Sequence, residues 1–116
     1  MNPLEALFAE AMRDPGKRGG FYAALLEADL YVGGSFRGPG EADLQFYDVD
    51  GEKVLPVFSD VGRLQRVLGP QAAWLKFKGR DILQTLRDRK PLVLNPFSEF
   101  GREFDEAELA EILEKY

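Results

Sequence analysis

The chain contains neither cysteine nor histidine, and these two absences exclude many classes of protein. Without cysteine it has no disulfide framework, zinc finger, iron–sulfur site or cysteine nucleophile. Without histidine it has no Ser-His-Asp triad, no histidine metal ligand and no general base of the commonest type. The 116 residues suit a single domain, which we expect over residues 1–116 and which needs no metal or disulfide for its stability.

Long apolar runs are also missing, since no segment approaches the roughly 18 apolar residues that a membrane span requires. The first residues carry acids early and show no basic region followed by an apolar segment, so we expect no signal peptide. Apolar residues make up 45% of the chain and charged residues 30%, as in a folded domain. These features predict a cytoplasmic protein that does not contact a membrane.

The net charge of −5 argues against general nucleic-acid binding, and it is unevenly placed. Residues 99–116 hold seven acids and two bases, whereas residues 1–98 hold thirteen of each. An acidic cluster and a basic stretch in the neutral part are interpreted as solvated faces, with contact to a partner or a second copy as the alternative. The candidate patch residues are the acids Glu41, Asp43, Asp48, Asp50 and Glu52 and the bases Lys76, Lys78 and Arg80.

In the first half, local signals predict two helices followed by β structure. Asn2, Pro3 and Glu5 form a capping box with proline at the first helical position, and an apolar stripe follows. A second helix is predicted over residues 21–28 and a strand over 30–32. Residues 33–40 hold four glycines and a proline, so they are expected to form a surface loop. Strands over 44–47 and 54–58 then form a predicted hairpin around an Asp/Gly turn.

In the second half, helices and strands alternate. We expect a helix capped by Ser59 or Asp60, a strand over 73–77, a helix over 81–87, a buried strand over 91–95 and a loop over 96–104. A last helix is capped by Asp105, with Glu108 completing a capping box. The alternation predicts an α/β fold with one mixed sheet of about five strands, in which antiparallel N-terminal strands precede a parallel βαβαβ part and helices cover the sheet. An α+β fold is the alternative.

Ligand motifs are weak in this sequence. Residues 33–38 match neither the dinucleotide fingerprint nor the phosphate-binding P-loop. Asp48, Asp50 and Glu52 could hold Mg²⁺ or Ca²⁺, but Asp and Gly are also what a hairpin turn selects. A hydroxyl nucleophile would have to rely on a carboxylate or a lysine as its base, and no spacing singles out a pair among the 20 acids. We therefore predict no metal, no cofactor and no enzymatic activity.

The most unusual segment follows the predicted buried strand, where ligands commonly bind in open α/β sheets. It carries three phenylalanines, which either form a packed corner, with Gly101 supplying a special backbone angle, or expose Phe97 or Phe100 as an anchor for a protein partner. The candidate contact residues are Asn95, Pro96, Phe97, Ser98, Phe100, Gly101 and Phe104.

Three blocks, in order, resemble the SseB N-terminal domain family. They are residues 21–32, residues 54–59 followed by Leu64, and residues 91–96 with Ser98, Gly101, Glu103 and Phe104. Phe97 departs from the glycine expected after Asn-Pro in that family. The resemblance implies a shared fold and no catalytic residues, because the matching positions look like fold determinants.

Together, these observations predict a non-enzymatic cytoplasmic binding or regulatory module that acts through protein contact or self-association. The first alternative is a domain that binds a small, amino-acid-like ligand, because the family is named after enhanced serine sensitivity. Such a ligand would lie between the loop after Val32 and the loop after Asn95. An enzyme is the least favoured alternative.

Overall fold

The computed structural model describes residues 2–116, which form five α-helices, one 3₁₀ turn and seven strands. The helices are α1 (Pro3–Arg13), α2 (Arg18–Glu27), α3 (Val61–Leu68), α4 (Gly79–Leu86) and α5 (Glu106–Lys115), with the 3₁₀ turn at Pro15–Lys17. The strands are β1 (Asp29–Gly38), β2 (Glu41–Leu44), β3 (Tyr47–Val49), β4 (Glu52–Val57), β5 (Trp74–Lys78), β6 (Leu92–Leu94) and β7 (Arg102–Phe104).

The strands form two sheets, with orders β2-β1-β5 and β3-β4-β6-β7. The mixed α/β class is therefore confirmed, but the single sheet of about five strands is wrong. The predicted parallel βαβαβ part is also wrong in one strand. Among the strands of residues 2–116, only β4 and β6 pair in parallel, whereas β5 pairs antiparallel with β1 in the other sheet.

Strand β1 explains why the sheets were miscounted. Its second half, through Gly38, was expected to be a surface loop, yet it pairs antiparallel with β2. Gly34 lies so close to the backbone of Asp43 that a Cβ atom there would collide with the Asp43 carbonyl oxygen. Glycine in this segment therefore permits close strand pairing rather than marking a flexible connection. Strand β7, inside the predicted 96–104 loop, was also missed.

The two sheets are joined by a β-bridge between Tyr31 of β1 and Phe58, the residue after β4. Two backbone hydrogen bonds of 2.9 Å, one in each direction, link Tyr31 and Phe58. Pro56 fits inside β4 because its neighbours Leu55 and Val57 make the hydrogen bonds on the β6 side. The peptide groups at Pro56 face the other side, beyond the last β3–β4 pair at Tyr47 and Val54. No ladder donor is needed there, as expected from the proline.

The helix boundaries follow their capping residues. Asn2 and Glu5 form the predicted capping box of α1. Asp60, rather than Ser59, caps α3 by accepting a hydrogen bond of 2.8 Å from the Arg63 amide. Asp105 caps α5 through the Glu108 amide. The Glu108 carboxylate does not complete a box, because it binds the Arg102 guanidinium instead.

One hydrophobic core holds the two sheets and four helices together. It contains residues of α1, α2, α4 and α5 together with the inward side chains of β1, β4, β6 and β7. The predicted buried strand is confirmed, since Leu92 and Leu94 of β6 are buried between β4 and β7. Within residues 2–116, every helix is too short or too polar to cross a bilayer.

Two helical glycines differ in the space around them, so replacing each by alanine is expected to change the free energy of unfolding in opposite directions. A Cβ atom at Gly79 would collide with the backbone carbonyl of Leu25, so Gly79→Ala is expected to cost about 1–3 kcal/mol of unfolding free energy. Gly20 has nothing within 4 Å of the same position. Gly20→Ala should therefore stabilise the protein by about 0.5–1 kcal/mol. Urea unfolding measures both, and a neutral Gly79→Ala would contradict the tight α2–α4 packing.

Candidate functional site

The three phenylalanines of the aromatic segment lie in three different environments. Phe97 is 89% exposed, Phe100 is half-buried and Phe104 is fully buried in the core. Phe104 therefore offers no surface to a partner and anchors β7. The packed-corner interpretation therefore holds for Phe104 and partly for Phe100. Of the three phenylalanines, Phe97 is the one whose side chain is exposed to solvent.

Phe97 also has an unusual backbone. Its φ is 63°, in the left-handed region that costs an L-residue roughly 1–2 kcal/mol. For a bulky residue this conformation is an outlier, and glycine adopts it without strain. The conformation gives a physical reason for the glycine expected after Asn-Pro. The side chain of Phe97 is thus exposed, and its backbone has a conformation that is unfavourable for phenylalanine.

The segment between β6 and β7, residues 95–101, is called the contact loop below. Its first residue, Asn95, is 1% exposed and has a φ of 45°, which asparagine tolerates. Asn95 Oδ1 accepts a hydrogen bond of 2.9 Å from the Ser59 amide, and Asn95 Nδ2 donates one of 3.0 Å to Ser59 Oγ. This buried amide ties the start of the contact loop to the chain between β4 and α3.

Helix α1 joins the same cluster through Asn2. The Asn2 Nδ2 atom donates to Ser59 Oγ at 2.9 Å and to Asp60 Oδ2 at 3.1 Å. The capping residues of α1 and α3 therefore touch each other, next to the residue that holds Asn95. Three chain segments that are distant in sequence meet at Ser59.

An ion pair between Glu5 and Arg63 completes the cluster. The Glu5 side chain is 2% exposed and binds the Arg63 guanidinium. Arg63 Nη1 donates to Ser98 Oγ at 3.1 Å, and the guanidinium carbon lies 5.3 Å from the centre of the Phe100 ring. Arg63 thus connects α1 to the middle of the contact loop. We call the set the Asn95 network; its members are Asn2, Glu5, Ser59, Asp60, Arg63, Asn95 and Ser98.

Gly101 is the last residue of the contact loop, and glycine is needed there for a reason other than the expected backbone angle. Its φ is not positive, so the predicted special backbone angle is wrong. Instead, a Cβ atom at Gly101 would collide with the carbonyl oxygen of Asn95 and lie 2.8 Å from that of Leu94. Glycine is required there because the two ends of the loop approach each other closely.

A small cavity lies beside Phe97. Its volume is about 120 Å³, and we call it the Phe97 cavity; it is lined by Arg63, Arg66, Val67, Asn95, Pro96, Phe97 and Ser98. Arg66 is exposed and makes no ion pair or side-chain hydrogen bond with any residue of 2–116. Four residues of this site were not predicted from the sequence: Glu5, Ser59, Arg63 and Arg66. The spacing of the two arginines along α3 was the only available signal, and it is common in exposed helices.

The candidate charge patches are partly neutralised within the chain. Arg37 binds Asp43 at 2.7 Å, and this hydrogen bond lowers the pKa of the Asp43 carboxyl below its usual value. Lys53 lies 3.4 Å from Asp48. On the basic side, Lys78 pairs with Asp29 and Arg80 pairs with Glu27. Glu41, Asp50, Glu52 and Lys76 are exposed, and contact between the two patches of different copies stays a prediction.

Other ligand sites find little support in the geometry. Because residues 33–38 belong to β1, the predicted two-loop site for a small ligand lacks one of its loops. Within residues 2–116, no three acidic side chains converge closely enough to hold a metal ion. An apolar cavity of about 240 Å³ lies between β2, β4, β5 and α4. Asp81 and Thr85 are the polar residues of its lining, and Thr85 Oγ1 already donates to the Asp81 carbonyl.

The fold and site define a class of protein: a small mixed α/β domain with an exposed aromatic residue on a surface loop that side-chain hydrogen bonds hold. The model of the SseB protein N-terminal domain matches residues 4–111. The chain therefore belongs to the SseB N-terminal domain family.

The relatives include proteins named Protein SseB from Escherichia coli strain K12 and from Shigella flexneri. Each is 31% identical over 118 aligned residues, which cover 94% of this chain and 45% of the relative. The chain thus spans about half the length of the relatives it matches. No solved structure matches the chain at a significant level.

The buried ion pair predicts strong coupling between Glu5 and Arg63. Arg63→Ala leaves a buried carboxylate without its partner and should lower the free energy of unfolding by about 3 kcal/mol or more. The double variant Glu5→Gln/Arg63→Ala should lose much less than the sum of the two single losses. Urea unfolding of all four proteins measures this, and additive losses would show that Glu5 and Arg63 do not act as a coupled pair.

The left-handed backbone predicts that Phe97 lowers stability. Phe97→Gly should raise the free energy of unfolding by about 0.5–1 kcal/mol, because the strain is relieved and almost no buried area is lost. Phe97→Ala, which keeps the strain, is the matched control and should change stability by less than about 0.5 kcal/mol. Equal stabilities of the glycine and alanine variants would argue against strain at this position.

Proposed function

We propose that this domain is a non-enzymatic protein-contact module and that Phe97 is its anchor. The observation that carries the proposal is the combination of 89% exposure with a left-handed φ of 63° at a phenylalanine. Such a residue buries little surface in the fold, and its backbone has a conformation that is unfavourable for phenylalanine. Strained and exposed aromatic residues of this kind concentrate at binding sites.

The support beneath Phe97 favours binding to a preformed surface. Asn95 and Ser98, on either side of it, are held by Ser59 and Arg63. A loop that is already ordered loses little conformational freedom when a partner binds. The Asn95 network therefore lowers the entropic cost of using Phe97 as an anchor.

The size of the site favours a protein partner over a small ligand. Ligand pockets commonly measure 300–1,000 Å³, and the Phe97 cavity has a volume of about 120 Å³. This volume suits the end of one side chain. We expect the contact to occur in the cytoplasm, on the sequence grounds given above, and the proposal concerns this domain rather than the longer relatives.

A capture experiment tests the anchor. The tagged chain is immobilised, exposed to a bacterial lysate and compared with Phe97→Ser. Proteins that bind through Phe97 should be recovered at least about tenfold less well by Phe97→Ser, as expected for a central aromatic contact.

Phe36→Ser is the matched control, because Phe36 is also exposed, at 63%, but lies on β1. This variant should capture the same proteins as the parent chain. Thermal unfolding of both variants checks that they are folded. If both serine variants recover identical proteins in equal amounts, Phe97 is not the anchor.

A further inference from the structure

The Phe97 cavity contains hydrogen-bond donors and no free side-chain acceptor. Arg66 contributes an exposed guanidinium that makes no ion pair within residues 2–116, and arginine has no acceptor atom. The guanidinium of Arg63, which also lines the cavity, binds Glu5 and Ser98 through its two Nη atoms, and its Nε is buried without a hydrogen-bond partner within residues 2–116. The uncompensated charge of the lining is therefore positive and comes from Arg66.

Ser98 adds a second donor. Its Oγ accepts hydrogen bonds from Arg63 Nη1 at 3.1 Å and from the Phe100 amide at 3.0 Å. A hydroxyl oxygen has two acceptor positions, so both are occupied and its hydrogen remains to be donated. The remaining polar side chain, Asn95, uses its oxygen to accept from the Ser59 amide. The polar side chains of this cavity therefore complement a ligand group that only accepts hydrogen bonds.

The rest of the lining is apolar and limits the size of the occupant. Val67, Pro96 and Phe97 form the wall around the donors. A volume of about 120 Å³ leaves room for one carboxylate-bearing side chain, with a neighbouring apolar residue placed against the exposed face of Phe97. Charge-assisted hydrogen bonds from a guanidinium to a carboxylate are among the strongest that such a surface can make.

We propose that the Phe97 cavity binds the carboxylate of an Asp or Glu side chain of a protein partner. Arg66 and Ser98 donate to the carboxylate while an adjacent apolar residue of the partner packs on Phe97. This inference rests on the proposed function and adds the chemistry of the partner. The partner presents a single acid beside an apolar residue rather than an acidic run, because the chain has a net charge of −5 and Glu99 lies exposed in the same loop.

Peptide selection tests this chemistry directly. A phage-displayed library of random 12-residue peptides is selected on the folded full chain and then counter-selected on Phe97→Ser. The recovered peptides should share an Asp or Glu next to an aromatic or aliphatic residue. A synthetic copy of the best peptide, amidated at its C-terminus, should bind about tenfold more weakly when that acid is replaced by its amide. Its affinity should fall as salt is added.

Charge reversal supplies the matched comparison. Arg66→Glu should weaken binding of the acidic peptide by about tenfold or more and should improve binding of the same peptide with Lys in place of its acid. Arg89→Glu makes the same change in net charge at another exposed arginine and should leave both affinities unchanged.

Three outcomes would overturn the inference. They are Phe97-dependent peptides that bind equally well with an acid or its amide, equal effects of Arg66→Glu and Arg89→Glu, and much tighter binding of a phosphoserine peptide than of its glutamate counterpart. Each of these leaves Phe97 as the anchor, so the proposed function would stand. If no selected peptide depends on Phe97, the proposed function itself fails.

Discussion

The contact loop depends on the buried amide of Asn95. This side chain is 1% exposed, and its hydrogen bonds to Ser59 fix the direction in which the chain leaves β6. A buried amide without partners would cost roughly 1–3 kcal/mol, so the loop and the segment before α3 can only be stable together. Arg63 extends this dependence to the middle of the loop and to α1 through Glu5. The exposed residue Phe97 is thus held by interactions that are partly buried.

The fold could be predicted from the sequence wherever the signal is local. The capping box at Asn2 and Glu5 and the buried strand β6 both depend on neighbouring residues, and both were predicted. Sheet membership could not be predicted in the same way, because β5 pairs with β1, more than forty residues earlier. The alternation of helices and strands favoured β4 and β6 as its neighbours. Glycine has a low strand propensity, so nothing in the sequence of this segment of β1 indicated that it pairs closely with β2.

The three phenylalanines in one short segment indicated where the candidate site lies. Only the burial of each phenylalanine in the structure shows which of them can contact a partner. Phe97, Phe100 and Phe104 are the same residue type within eight positions, yet their exposures span nearly the full range. The glycine expected in place of Phe97 was the most specific hint, since it signals a left-handed backbone. Arg63 and Arg66 could not be assigned, because exposed and partly exposed arginines are common in any helix. Their role appears only when α3 and the loop are seen side by side.

The long sequence separations in the Asn95 network have a consequence for how the surface arises. Asn2 reaches Ser59 across 57 residues, and Ser59 reaches Asn95 across 36. Each of these contacts closes a long loop, so its loop-closure entropy must be overcome before the contact contributes stability. A chain in which the segments of Asn2, Ser59 and Asn95 have not yet met therefore lacks the supports that position Phe97. A partner that recognises this surface would discriminate between mature and immature copies, so its binding would report that folding is complete.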